Sequence, residues 1–380
     1  MPSFYQIRTS LSIIDKIREI NIFLVCLLLI IFLFGLLSLY SVADGNFNPW
    51  ARNHLIRFVI SAILFFIISV IDIKIILKLA YPLFFINILA LVLIMFIGTE
   101  TYGATRWIRI AGVSLQPSEF IKVSLILCLA KYYHSIPIIE ASKISRMIIP
   151  VIITLIPVGL VINQPDLGTS IIILIGAGSI FWIVGINYKY FILAFLSACA
   201  SIPVGWQYLH NYQKERVFTF FNPERDPLGN GYHIMQSKIA LGSGGFAGKG
   251  YLEGTQSHLN FLPEMHTDFI FTMYGEEFGF IGTFLLLIIY LSIILVSFNL
   301  ATKSRSSFGK YLSCGLIFLF FSHVFINIGM VMGLLPVVGV PLPLISYGGS
   351  SMLATMIGFG LIMNCYINRD TILAKEGFID

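Results

Sequence analysis

The feature that most limits how this chain can fold is a succession of long apolar runs broken by short polar stretches. A helix that crosses a bilayer needs about 20 mostly apolar residues. Runs of that kind fall near residues 20–42, 55–71, 79–98, 116–133, 147–163, 168–186, 190–209, 268–298, 311–335 and 346–366. Ten such runs imply an all-α polytopic membrane protein with about ten transmembrane helices. The seventh is the weakest, because Ser197, Ser201, Pro203 and Gln207 interrupt it. Only 11% of the 380 residues are charged, where a soluble domain carries about a quarter. That excludes a soluble globular enzyme, a disordered chain and a nucleic-acid-binding domain.

The first apolar run, about Asn21 to Tyr40, is too long for a signal-peptide core and has no clear cleavage site, so it reads as a retained span. Orientation follows from Lys and Arg in the short loops. With the N-terminus inside, inner segments carry 14 of them and short outer loops carry only Arg52, Arg57, Arg106 and Arg109. Both termini, 1–19 and 367–380, are therefore expected in the cytoplasm. The long segment 210–267, between spans seven and eight, is then extracytoplasmic. The whole chain, 1–380, reads as a single membrane domain. The five cysteines are odd in number and lie in apolar stretches without metal spacing, so they read as small buried hydrophobes.

The 210–267 segment alone has soluble-like composition, and a loop that long is usually functional. Residues Tyr232 to Leu241 fit a short amphipathic helix at the membrane surface. The run Ser243-Gly244-Gly245-Phe246-Ala247-Gly248-Lys249-Gly250 resembles a P-loop but fails as one. Ser243 replaces the first Gly, Gly250 replaces the Ser or Thr after Lys249, and no βαβ unit surrounds it. A tight loop fits better, with backbone N–H groups that could line an anion.

Ionisable residues at span ends are the next signal, because they usually face the protein interior or a watery cavity. Glu119 and Lys122 open the fourth span three residues apart and share a helix face. They fit a structural ion pair and a polar cavity alike. Asp166 stands just before Gly168 at a helix boundary, either as an N-cap or in a site. Arg106 and Arg109 flank Trp107, as an interfacial anchor or as a phosphate clamp. Asp268 ends the long loop and opens the eighth span. It is either a helix cap or a general base at the water–lipid boundary. Leu335 to Ser351, rich in Pro, Gly and Ser, reads as a re-entrant or broken segment. Paired His at metal spacing is absent from the sequence. A loosely held divalent cation bridging a carboxylate and a phosphate stays open.

These blocks together resemble the SEDS family of bacterial cell-wall polymerases. The match rests on Arg106-Trp107-Ile108, Gln116-Pro117-Ser118-Glu119, Gln164 through Thr169, Gly231-Tyr232 through Gly250, Pro263 to Phe271 and Pro341 to Ser351. It spans nearly the whole chain, with the blocks in family order. Gly254 through Pro263 resembles the elongation branch more than the division branch.

The resemblance implies a peptidoglycan glycosyltransferase in the bacterial cytoplasmic membrane, polymerising lipid II on its outer face during elongation. It implies Asp268 as the essential carboxylate, with Glu119, Lys122 and Asp166 as polar cavity positions and Arg106 and Arg109 in a basic outer loop. Lys238 and Lys249 are further cation candidates for the diphosphate. Basic residues or a divalent cation, Mg or Mn, would stabilise the charge developing on the leaving diphosphate. The implied partner is a class B penicillin-binding protein, a PBP2-type transpeptidase, within the elongation machinery. A division-type polymerase, a lipid II flippase or transporter, and a scaffold that only positions a partner synthase are the competing readings.

Overall fold

The computed structural model describes residues 12–101, 104–110, 113–209, 211–225, 229–255 and 265–373. After a short amphipathic helix α1 (Ile13–Arg18), the expected spans appear as α2 (Ile22–Val42), α3 (Trp50–Val70), α4 (Ile73–Ile97), α5 (Pro117–His134) and α7 (Ile144–Asn163). They continue as α8 (Leu167–Val184), α9 (Tyr188–Tyr208), α12 (Ile270–Lys303), α13 (Ser307–Val331) and α14 (Gly349–Ile367). Between them lie α6 (Ile138–Ala141), α10 (Asn211–Phe221) and α11 (Asn230–Ser243).

Several starts have a local cause. Asn21, Asp72, Asn187 and Ser306 accept a backbone N–H of the first turn of α2, α4, α9 and α13. Nine of the described helices are long and apolar enough to cross a membrane. The tenth, α5, carries Glu119, Lys122 and Lys131. It tolerates them because it is buried on nearly every side at the centre of the bundle, so its charges meet protein and not lipid. Around it, α13 packs on α5 and α8, and α14 packs on α3. By contrast α9 buries none of its residues.

The two ends of the bundle meet. Arg369, after α14, donates to Glu19, before α2, at 2.8 Å. The N–H of Arg305, in the link between α12 and α13, donates to the carbonyl of Arg369. These three segments thus lie at one end of the molecule, as an even number of spans requires.

Three details differ from the sequence reading. The fold is not wholly helical: residues between α4 and α5 form an antiparallel three-stranded sheet, β1 (Thr99–Thr101), β2 (Ala104–Ile110) and β3 (Val113–Leu115). Arg57 is inside α3 and not in an outer loop, its guanidinium 4.2 Å from the centre of the Tyr347 ring. The break before the last span is longer than the apolar count implies, since residues 332–348 are not helical. The helix expected at Tyr232 to Leu241 is present within α11, packed on α12. Most of the block that separates the elongation and division branches, residues 256–263, lies outside the described residues.

Candidate functional site

Non-helical backbone inside a membrane protein must find partners for its polar groups. Residues 332–348 do so with side chains from several helices. Asn327 of α13 donates to the carbonyl of Val340 at 2.7 Å. The Tyr290 hydroxyl of α12 donates to the carbonyl of Pro343 at 2.7 Å. His54 of α3 places Nε2 3.2 Å from the carbonyl of Leu344. Ser346 accepts from the N–H of Leu342 and donates to the carbonyl of Thr267. The broken segment foreseen from its prolines is therefore held by side chains from several elements, and Asp268, Gly168 and Lys238 approach it directly.

Asp268 lies on the strap that leads into α12, half-buried. Phe269 occupies the cap position of that helix, and Asp268 stands one residue ahead of it. The strap is stapled to the broken segment. The N–H of Tyr347 donates to the carbonyl of His266 at 2.8 Å, and Trp50 stacks on the His266 ring at 3.9 Å between centroids. Gly339 has φ 72°, and a Cβ there would lie 3.3 Å from Asp268 Oδ2, so a glycine suits both the backbone and the close approach of the carboxylate. Asn327 also donates to the main-chain carbonyl of Asp268, at 2.9 Å.

Glu119 and Lys122 form the expected ion pair, at 2.8 Å, and both are buried. Sequence spacing did not foresee the third member, His323 of α13. Its Nε2 is 2.7 Å from Lys122 Nζ, and its Nδ1 is 2.8 Å from the carbonyl of Leu319. A carbonyl only accepts, so Nδ1 carries the proton and Nε2 is the acceptor for the ammonium. The ring is neutral. This triad lines a cavity of about 30 Å³, with Pro343 of the broken segment and Thr355 of α14 among its walls. Such a space is large enough for one or two waters.

Asp166 caps α8: its carboxylate accepts from the N–H and hydroxyl of Thr169. Arg106, on β2, donates to the carbonyls of Gln164 and Pro165 and stands 3.8 Å from Asp166. Two residues singled out separately thus belong to one tether, which binds the three-stranded sheet to the start of α8. The next turn approaches the broken segment so closely that a Cβ on Gly168 would lie 2.7 Å from the carbonyl of Val338. Arg109 lies on the same strand, its side chain outside the described residues. Lys238 is exposed on α11, its aliphatic chain against Gly333.

The glycine-rich run 243–250 does something other than bind an anion. The helix α12 breaks at Gly279, where φ is 62° and ψ is −160°. There the carbonyls of Glu276 and Glu277 receive the N–H groups of Lys249 and Gly250. The N–H groups of Phe280 and Ile281, which would normally fill those carbonyls, donate to Gly245 and Phe246. The loop replaces both missing helical bonds, and the N–H groups of Gly248, Lys249 and Gly250 are consumed by protein carbonyls. Lys249 itself pairs with Glu276, which is wholly buried, at 2.5 Å. The expectation of an anion-lining loop is corrected on these grounds.

Among the described residues no three His, Cys, Asp or Glu side chains come together as a metal site.

Comparison with known proteins gives a consistent answer. The family model for FtsW, RodA and SpoVE, described as cell cycle proteins, matches residues 18–371. The peptidoglycan glycosyltransferase MrdB of Escherichia coli K12 is 43% identical over 288 residues, 76% of this chain and 77% of MrdB. A probable peptidoglycan glycosyltransferase FtsW of Trichlorobacter lovleyi is 34% identical, covering 92% of this chain and 93% of its own. Among solved structures, a chain of a peptidoglycan synthase complex that coordinates polymerization and crosslinking superposes with a TM-score of 0.80. It is 29% identical, over 92% of this chain and 98% of that one. The rod shape determining protein RodA of Thermus thermophilus has a TM-score of 0.70 at 25% identity, over 92% and 97% of the two chains. With the match running from just ahead of the first span to just past the last, the chain belongs to the FtsW/RodA/SpoVE family, a multi-pass protein of the bacterial inner membrane.

Proposed function

We propose that this protein is a peptidoglycan glycosyltransferase of the elongation type, polymerising lipid II into β-1,4 glycan strands. The observation that carries this is its 43% identity to a peptidoglycan glycosyltransferase, MrdB, over three quarters of both chains. In the topology that suits the reaction, both termini are cytoplasmic, and 210–267 and Asp268 face the outer side. The meeting of Glu19 with Arg369 supports placing both termini on the same side, and the Lys and Arg bias of the short loops makes that side the cytoplasm.

Asp268 is the general base. It takes the proton of the 4-hydroxyl of the acceptor GlcNAc as that oxygen attacks the anomeric carbon of the donor MurNAc. The bond from that carbon to the pyrophosphate oxygen breaks, and undecaprenyl pyrophosphate leaves with the electron pair. Attack from the opposite face turns an α-linked donor into a β linkage. A base supplies roughly 10²–10⁴-fold, so fixed placement must add more. The staples on the Asp268 strap support that role. Arg106, Arg109, Lys122, Lys238 and Lys249 are the cation candidates for the leaving diphosphate, and Lys122 is buried against Glu119 and His323. Lys238 is the exposed one whose surroundings are described, while Arg106 and Lys249 already hold protein partners. A divalent cation, Mg²⁺ or Mn²⁺, would supply charge stabilisation for the leaving pyrophosphate.

The partner in this reading is a class B penicillin-binding protein that crosslinks the strands, in keeping with the synthase complex of the structural relative. A transporter reading gains nothing from the buried triad, since a cavity of about 30 Å³ is too small for a lipid-linked disaccharide.

The test is polymerisation of lipid II by the purified protein with its partner and Mg²⁺, beside Asp268→Asn. Glycan strands from wild type and none from the folded variant are expected. Equal polymer from both would remove Asp268 from the reaction. No polymer from wild type, where a known polymerase works on the same lipid, would return the transporter reading.

A further inference from the structure

Asn327 lies near the end of an apolar span, four residues before its last residue Val331, and is 0% exposed. Both hydrogens of its amide are used, one on the main-chain carbonyl of Asp268 and one on that of Val340. Its Oδ1 has no hydrogen-bond partner. Burying an unpaired amide oxygen is unfavourable, and an apolar side chain of similar size would fill the space without it. The amide is therefore held for its two donated hydrogen bonds, which do one thing: they fix Asp268 against the broken segment at a set distance. Gly339, next to Val340, completes the clamp from the carboxylate side.

We propose that Asn327 is a positioning residue for the general base, acting through the main chain of Asp268. This rests on the assignment of Asp268 above. Loss of the clamp leaves the lipid II contacts in place but lets the carboxylate drift. A misplacement of about 1 Å can lower turnover about 10²-fold, so the effect belongs in kcat and not in KM.

Steady-state polymerisation of lipid II by the full chain with its partner tests this, using Asn327→Ala, Gly339→Ala, Tyr290→Phe and Asp268→Asn. Partner co-purification and melting temperature certify folding. The expected result is kcat about 10²-fold lower for Asn327→Ala and Gly339→Ala, with KM near wild type. Tyr290→Phe removes a bond to the same broken segment, at Pro343, without touching Asp268, and should keep kcat near wild type. If Asn327→Ala does not fold, Asn327→Ser, which keeps one donor, takes its place. Wild-type kcat in the Asn327 variant beside an inactive Asp268→Asn overturns the inference alone. So does an equal loss in Tyr290→Phe, which would make the effect one of segment stability. An active Asp268→Asn removes the base assignment and this inference with it.

Discussion

Lys249 Nζ lies 2.5 Å from Glu276 Oε1, with the carboxylate wholly buried and the ammonium partly exposed. The N–H and hydroxyl of Thr255 bond to the same oxygen. Removing one partner of a buried pair leaves an uncompensated charge, at about 3–5 kcal/mol. Because Lys249 is partly wet, Lys249→Met should fall at the lower end, about 3 kcal/mol. The double change Lys249→Met with Glu276→Gln should recover much of that. Chemical unfolding in detergent micelles measures both, and a Lys249→Met protein as stable as wild type would refute the account.

The buried pair of Glu119 and Lys122 offers a sharper separation of structure from function. Lys122→Met strands Glu119 and should destabilise by about 3–5 kcal/mol. Glu119→Gln with Lys122→Met should restore the fold. Polymerisation by that double variant then decides between the two roles open for the pair. Near-normal strands mean a structural pair, and a folded but inactive protein means that the cavity serves the reaction.

Gly248 and Gly279 face one another where the loop meets the broken helix, both at positive φ. A Cβ on either would collide with the other strand's backbone, at Glu277 and Phe278 or at Ala247 and Gly248. Gly279→Ala therefore suffers both strain and overlap, and a loss above about 4 kcal/mol is expected. In practice the variant should fail to accumulate in membranes. Gly245→Ala is the control: its φ is also positive, but a Cβ there meets nothing within 4 Å. Equal expression of all three proteins would show that the close approach is not needed.

Ser346 joins the broken segment to the Asp268 strap through a single hydroxyl. Ser346→Ala leaves a buried N–H at Leu342 and a carbonyl at Thr267 without it, about 1–3 kcal/mol for an unsatisfied group. Thermal melting should drop by several degrees, while Ser346→Thr keeps the hydroxyl and recovers part of the loss. An unchanged melting temperature for Ser346→Ala would mean that other contacts hold the strap.

The spans were legible because hydrophobic length in a bilayer is a local property. Every expected run became a helix, with ends displaced by a few residues. The sheet at Thr99–Leu115 was missed although Thr105, Trp107 and Arg109 alternate with Arg106, Ile108 and Ile110, a period of two hidden in a short loop. His323 and Asn327 were missed for a different reason. Each is polar and sits inside an apolar run, which is itself a signal. Their partners are far away in sequence, Lys122 by 201 positions and Asp268 by 59, and no local pattern joins them. The glycine-rich loop was legible as a tight turn but not as a replacement for helical bonds, because the break in α12 that needs it shows only as Gly275, Gly279 and Gly282 in an apolar stretch.

The break at Gly279 also bears on how the protein enters the membrane. Four backbone groups, at Glu276, Glu277, Phe280 and Ile281, are unpaired until residues 245–250 arrive. Unpaired, each would be costly in hydrocarbon. The stretch from Phe280 to Lys303 runs about 36 Å, long enough to cross by itself. Burial of Ile270 to Phe278 in hydrocarbon therefore depends on residues 245–250 covering the break. Asp268, one residue ahead of the cap of that part, is tied through it to the glycine-rich loop.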